Sequence, residues 1–341
     1  MQPKFENKNQ FDDLSREDAD IRDRLEDYTP SIADFEDCYS ALKLSSDQAK
    51  VNRLKESWNK RDNLTTADKL EYVIFENLEL GDWFGDYEGD DDIIDYEYEQ
   101  DPQINSLATF KTSEYDDYMN HTDMVVSVCN SMTDNKPLLF GIDVTYNKDN
   151  TNLKKKLGWQ HRETGLKGFT QLDYLDAYDG AKVKGKVDIM PRLVIGVNPS
   201  EVIGLSSITY RKNHTGPISD SEEKEGSRLE TSLRFRIVNQ IYTQIEDISD
   251  YLENTAESSS ELIVEAKDQI SKLKKYLKQS NQKAEKNYIK TFGLYGARDY
   301  TAEAILAHSA ATYNERNDVH KPAFSQRASQ KIIDISNKIK P

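Results

Sequence analysis

Cysteine is scarce in this chain of 341 residues: there are two, Cys38 and Cys129, far apart and outside any metal-ligand spacing. That excludes a disulfide framework and makes a reducing compartment the expectation. No run approaches the roughly 20 apolar residues of a membrane span. The opening MQPKFENKNQFDDLS lacks the basic and apolar regions of a signal peptide. These absences predict a cytoplasmic protein with no membrane association. The five histidines form no HExxH or similar zinc pattern. The stretch Gly293-Leu294-Tyr295-Gly296 is too short to cradle a phosphate, neither cysteine lies in a nucleophile motif, and no internal repeat of fixed period is present.

Acid is in excess. The formal net charge is -16, which argues against non-specific binding of nucleic acid by the whole surface, because counterion release needs Lys and Arg on the binding face. A local basic groove stays compatible with it. The hydrophobic fraction is 36% and the charged fraction 31%, yet the apolar residues gather in a few segments, so a globular core is expected.

Along the chain, residues 1–28 are rich in charge and read as mobile or as a solvated helix. Thr29-Pro30-Ser31 and Ser46-Asp47 are start signals for two helices. A third begins at Thr65-Thr66 and ends near Gly81, with Leu70, Val73, Ile74 and Leu78 on one apolar face. Glu71 borders that face, whereas Glu76 and Glu79 point toward solvent. Residues 81–101 hold ten acids and no Lys or Arg, and read as an acidic loop with a strand over 93–98.

Two runs then carry the chemistry. HTDMVVSVC and LLFGIDVTYN each place one acid, Asp123 or Asp143, in an apolar, β-branched segment, where an unpaired charge costs several kcal/mol. SMTDNKP between them is turn chemistry, so the runs are predicted to form an antiparallel hairpin. Residues two apart on a strand share a face, so Asp143 lies beside Gly141 and Thr145. The pairing brings Asp123 and Asp143 to one surface, within reach of a common Mg²⁺ ion, or Mn²⁺. A basic helix around NLKKKLGWQ follows, then a strand from Phe169 to Tyr178 and a buried strand, RLVIGV. Residues 211–227 read as an exposed connection. Leu229, Leu233, Ile237, Ile241, Ile245, Ile248 and Leu252 form a helical stripe, and Ser258-Ser259-Ser260-Glu261 caps a second helix, which predicts a helical hairpin. A last helical segment is expected over 301–314.

A helix with an inward Glu, a strand bearing Asp, a hairpin, a strand ending in Asp-x-x, a helix and a buried strand resembles the PD-(D/E)XK, or restriction-endonuclease-like, nuclease superfamily. The matching pieces are Glu71 in KLEYVIFENL, Asp123 in HTDMVVSV, Asp143 in FGIDVTYN, and RLVIGV. The pairing of TDMVVSV with GIDVTYN also resembles an uncharacterised bacterial branch with this core. The resemblance implies an α/β fold with a central mixed β-sheet flanked by helices, and Mg²⁺-dependent cleavage of nucleic acid. It spans about residues 65–200. Within it, Asp123 and Asp143 would hold the metal and Glu71 would orient water or add an oxygen ligand.

One departure stands out: the family carries Lys two residues after the second acid, where this chain has Thr145. A hydroxyl cannot supply that charge. Some members bring the lysine from a neighbouring element, and here Lys155, with Lys154, Lys156 and Lys148, is the candidate. The expected organisation is a charged N-terminal region over 1–64, a nuclease-like core over 65–210 and a helical extension over 228–341. The leading functional expectation is a metal-dependent nuclease, active or catalytically degenerate. Its C-terminal helices would bind a protein partner or form a homodimer. The alternative is a non-enzymatic interaction protein using residues 81–101 and the C-terminal helices.

Overall fold

The computed structural model describes residues 8–57, 65–79, 83–84, 104–130, 137–145, 150–159, 165–177, 183–214, 217–254, 261–292, 305–307, 309 and 313. The protein is mixed α/β and mostly helical. Helix α1 (Lys8–Asp27) leads through a short 3-10 turn (Ile32–Phe35) to α2 (Ala41–Ser57) and α3 (Thr66–Glu79). Strand β1 (Ile104–Lys111), helix α4 (Glu114–Asn120), strands β2 (Met124–Asn130) and β3 (Leu138–Val144), helix α5 (Asn150–Leu157), and strands β4 (Phe169–Ala177) and β5 (Val183–Ile195) follow. Three helices close the described chain: α6 (Pro199–His214), α7 (Asp220–Asn254) and α8 (Glu261–Phe292).

The five strands form one sheet in the order β1-β2-β3-β5-β4. β1, β2 and β3 run antiparallel in succession, β5 lies parallel to β3, and β4 is antiparallel to β5. Strand parity divides the side chains between two faces. Met124, Val126, Val128, Phe140, Ile142, Leu193 and Ile195 join the buried face of α3 and the stripes of α7 and α8 in one core. Val125, Leu139 and Met190 point the other way, toward Leu172 and Leu175 of β4. The long helices are therefore packed on the sheet and share its core. Phe235 of α7 stacks on Tyr288 of α8 at 4.5 Å between ring centroids, far from the connection, as an antiparallel hairpin requires.

Several expectations change. Residues 8–27 are helical, and Ile21 is fully buried, so this helix is docked rather than merely solvated. Ser46-Asp47 starts no helix: both lie inside α2, while Ser31 caps the 3-10 turn. Glu76 is buried and paired with Arg24 at 2.9 Å, because α1 covers the side of α3 that periodicity assigns to solvent. Most of 211–227 is helical, since Ser219 and Glu222 form a capping box that starts α7. The first four residues of RLVIGV, Arg192 to Ile195, end a strand of 13 residues, and Gly196 and Val197 lie past it. Only Trp83 and Phe84 of the acidic segment are described, both buried, and the strand expected over 93–98 lies outside the described residues. Of the helical segment expected over 301–314, residues 305–307, 309 and 313 are described, in helical conformation.

Candidate active site

The β2–β3 register pairs Met124 with Ile142 and Val125 with Gly141. The Asp123 N–H donates to the Ile142 carbonyl at 2.8 Å, just past the end of that ladder, which brings Asp123 beside Asp143. Two acids facing each other across strands are destabilising unless other charges compensate. Here three cations do so.

Asp143 is buried, and both its oxygens are engaged. Oδ1 accepts from the Lys156 ammonium at 2.5 Å and Oδ2 from the Arg192 guanidinium. Arg192 stands on β5 beside Gly141, and its side chain is only 2% exposed. Its Nε donates to the His121 carbonyl at 2.7 Å, its Nη1 to the Lys156 carbonyl at 2.8 Å, and its planar group lies 5.1 Å from the Trp159 ring. This one side chain ties together β3, the turn after α4 and the end of α5. His121 adopts φ 53°, the left-handed conformation, and is the only non-glycine residue to do so among the described residues. Gly141 does not leave an open space beside the acid: a Cβ there would come within 2.8 Å of Thr122 and Met190 side-chain atoms, so glycine permits the close packing.

The Asp123 half is built differently. Its Oδ2 accepts from the Val144 N–H at 2.6 Å. A hydrogen bond joins its carboxyl group to that of Asp117, from α4. Burial, and then the Asp123 charge, push the Asp117 carboxyl well above the usual range, so a proton is shared within this pair. Asp123 is itself raised, by burial first and the facing Asp143 second. The buried Lys111, at the end of β1, pairs with Glu71 and also faces the charges of Asp123 and Asp117. Burial lowers the Lys111 ammonium. Four carboxyl groups (Glu71, Asp117, Asp123, Asp143) thus meet three basic side chains (Lys111, Lys156, Arg192) in one cluster.

The short helix that carries Asp117 is held at its N-terminal turn. The Ser113 hydroxyl caps it by accepting from the Asp116 N–H, and the Asp116 carboxyl accepts from the backbone of Asp173 and Tyr174 on β4 at 2.8 and 2.7 Å.

Of the residues expected from sequence, Asp123 and Asp143 come together as a facing pair. Glu71 reaches the cluster, but its carboxylate engages Lys111. Thr145 is buried just beyond β3, its N–H donating to the Ile195 carbonyl at 2.8 Å. Lys155 and Lys154 are exposed, and it is the next residue, Lys156, that turns inward to Asp143. Lys148 lies outside the described residues. Sequence reasoning missed Arg192, Lys111 and Asp117. The signal for Arg192 was present: a lone charge heading the apolar run RLVIGV is the same pattern that singled out Asp143.

The oxygen donors are of the kind a hard divalent cation takes, and a carboxylate oxygen that accepts one hydrogen bond keeps a second acceptor direction. Among the described residues, no three His, Cys, Asp or Glu side chains converge as a metal-holding group. Among the described residues, no helix is long and apolar enough to cross a membrane. No protein-family model matches the chain, and neither do any of the curated proteins or solved structures compared with it.

Proposed function

We propose that this chain is a nuclease-like phosphodiesterase that hydrolyses nucleic-acid phosphodiesters, with Mg²⁺ or Mn²⁺ held by Asp123 and Asp143. The observation that carries the reading is the contact of Lys156 with Asp143 at 2.5 Å. It brings an ammonium from α5 to the acid that, in the superfamily this chain resembles, is followed by lysine where Thr145 stands. The element order supports it too: α3 with Glu71, Asp123 and Asp143 at neighbouring strands, α5, and β5 parallel to β3 fit a restriction-endonuclease-like core.

A bound divalent ion would polarise a phosphoryl oxygen and lower the pKa of a bound water. Lys156, on the half-exposed side of the cluster, offers its charge to a phosphate as negative charge builds on it. Arg192 fixes the plane of the Asp143 carboxylate through a buried ion pair. Glu71 is held by Lys111, so its role is to balance that lysine rather than to take a proton from water. Lys154 and Lys155, exposed on the same helix, supply the local positive charge that an acidic protein needs to draw in a polyanion.

The test is divalent-dependent cleavage of single- and double-stranded DNA and RNA by the wild type, Asp143→Asn and Lys156→Met, with circular dichroism to check folding. Wild-type cleavage that falls about 100-fold or more in Asp143→Asn is expected. Equal cleavage by all three proteins would mean a different site or a contaminant. No cleavage by any would favour the interaction protein that works through residues 81–101 and the C-terminal helices.

A further inference from the structure

We infer that a nucleic-acid phosphate and a divalent cation bind this site with positive coupling, because Lys156 exchanges its partner from Asp143 to the phosphate. The inference rests on the nuclease-like reading above and names how that site would be regulated.

The two cations on Asp143 differ in one respect that decides the matter. Arg192 is locked: its side chain is 2% exposed, and it holds the His121 and Lys156 carbonyls as well as the carboxylate. Withdrawing it would strand a buried charge and two carbonyls. Lys156 is movable. Its side chain is 36% exposed, its short contact is the one to Asp143 Oδ1, and its other contact, to the Val144 carbonyl, is long at 3.4 Å. An ammonium on a flexible four-carbon stem reorients at little cost.

With both cations on Asp143, an approaching divalent ion meets two positive charges at hydrogen-bond distance from its own ligand. That repulsion weakens binding to the free protein. A phosphodiester changes the balance twice over. It brings negative charge, drawn in by Lys154 and Lys155, and it offers Lys156 an oxygen outside the cluster. Once Lys156 turns outward, Asp143 Oδ1 is bare and the local positive charge is smaller. Arg192 keeps the carboxylate in place throughout. By linkage, the metal must favour nucleic acid by the same factor.

The experiment is calorimetric titration of Mn²⁺ into the full chain, alone and with a nuclease-resistant phosphorothioate DNA duplex or single strand. Wild type, Lys156→Met and Lys156→Arg are compared. The wild type is expected to bind Mn²⁺ about tenfold more tightly with the oligonucleotide present, a typical coupling. In Lys156→Met the oligonucleotide-free affinity should rise toward that value and the coupling should shrink to the part that direct contact between metal and phosphate supplies. Lys156→Arg, which can still pair with Asp143, should keep weak oligonucleotide-free binding. If wild-type Mn²⁺ affinity is the same with and without oligonucleotide, or if Lys156→Met retains the coupling in full, the partner exchange is wrong while the nuclease-like reading stands. If no protein binds Mn²⁺ under any condition, both fall.

Discussion

Asp117 sits half-buried beside two other acids, and its hydrogen bond to Asp123 needs a proton that an exposed aspartate gives up near its ordinary value of 3.8. Because its folded value is raised, the folded protein keeps a proton that the unfolded chain releases. The stabilisation from this proton is complete below about pH 4 and is lost as pH rises through the folded value. Asp117→Asn keeps a neutral donor facing Asp123 and removes the titration. The variant should therefore match the wild type in acid and become the more stable protein on the way to neutrality. The gap should grow by at most about 1.4 kcal/mol per pH unit. Thermal melts of both proteins from about pH 4 upward would show it. Parallel curves would mean that the proton resides elsewhere. The residue scale is also where reading from sequence divides most sharply. Asp123 and Asp143 were legible because a charge in an apolar strand stands out. Lys111 and Asp117 were not, since KTSEYDDYMN looks like any polar connection until β1 and α4 bring it against β2.

Helix α7 does the work of a strand at one edge. β4 pairs with β5 only as far as Pro191, which leaves the outer backbone of Val194 and Gly196 without a strand neighbour on that side. Gln244 accepts from the Val194 N–H at 3.0 Å and donates to its carbonyl at 2.8 Å. Gln240 does the same for Gly196, at 3.0 and 2.9 Å. Replacing Gln240 by Leu would leave one buried donor and one buried acceptor unsatisfied, a cost of about 2 to 4 kcal/mol. Denaturant titration should show a lower midpoint, and a loss under 1 kcal/mol would mean the glutamines merely fill space. Secondary-structure type was readable for α3, β2, β3, α7 and α8, because their apolar periods are long and regular. These two contacts were not, since a glutamine four residues from another on a helix carries no mark of the strand it will meet. The start of α7 was hidden for a related reason: its first turns are acidic and exposed, and only the Ser219–Glu222 capping box marks them.

Across the whole molecule, the hairpin of α7 and α8 covers one face of the sheet and contributes Leu233, Ile237, Ile241, Leu273 and Leu277 to the shared core. A chain ending at Ser219 would expose that face, together with the backbone edge the glutamines cover. Such a truncation should fail to fold cooperatively, and broad loss of near-ultraviolet dichroism with dye binding would show it; a sharp melt would mark the helices as a separable unit. Charge distribution at this scale agrees with local rather than global attraction. A chain of net charge -16 still gathers Lys154, Lys155 and Lys156 at one end of α5.

The unequal covering of the two faces has a consequence for how a long substrate could lie. With α3, α6, α7 and α8 stacked behind the strands, the exposed His121 and the half-buried Trp159 ring lie, among the described residues, on the α5 side of Asp143. If the proposed nuclease-like reading holds, a cross-linker on Lys155 should capture nucleic acid that one on the outer surface of α8 does not reach.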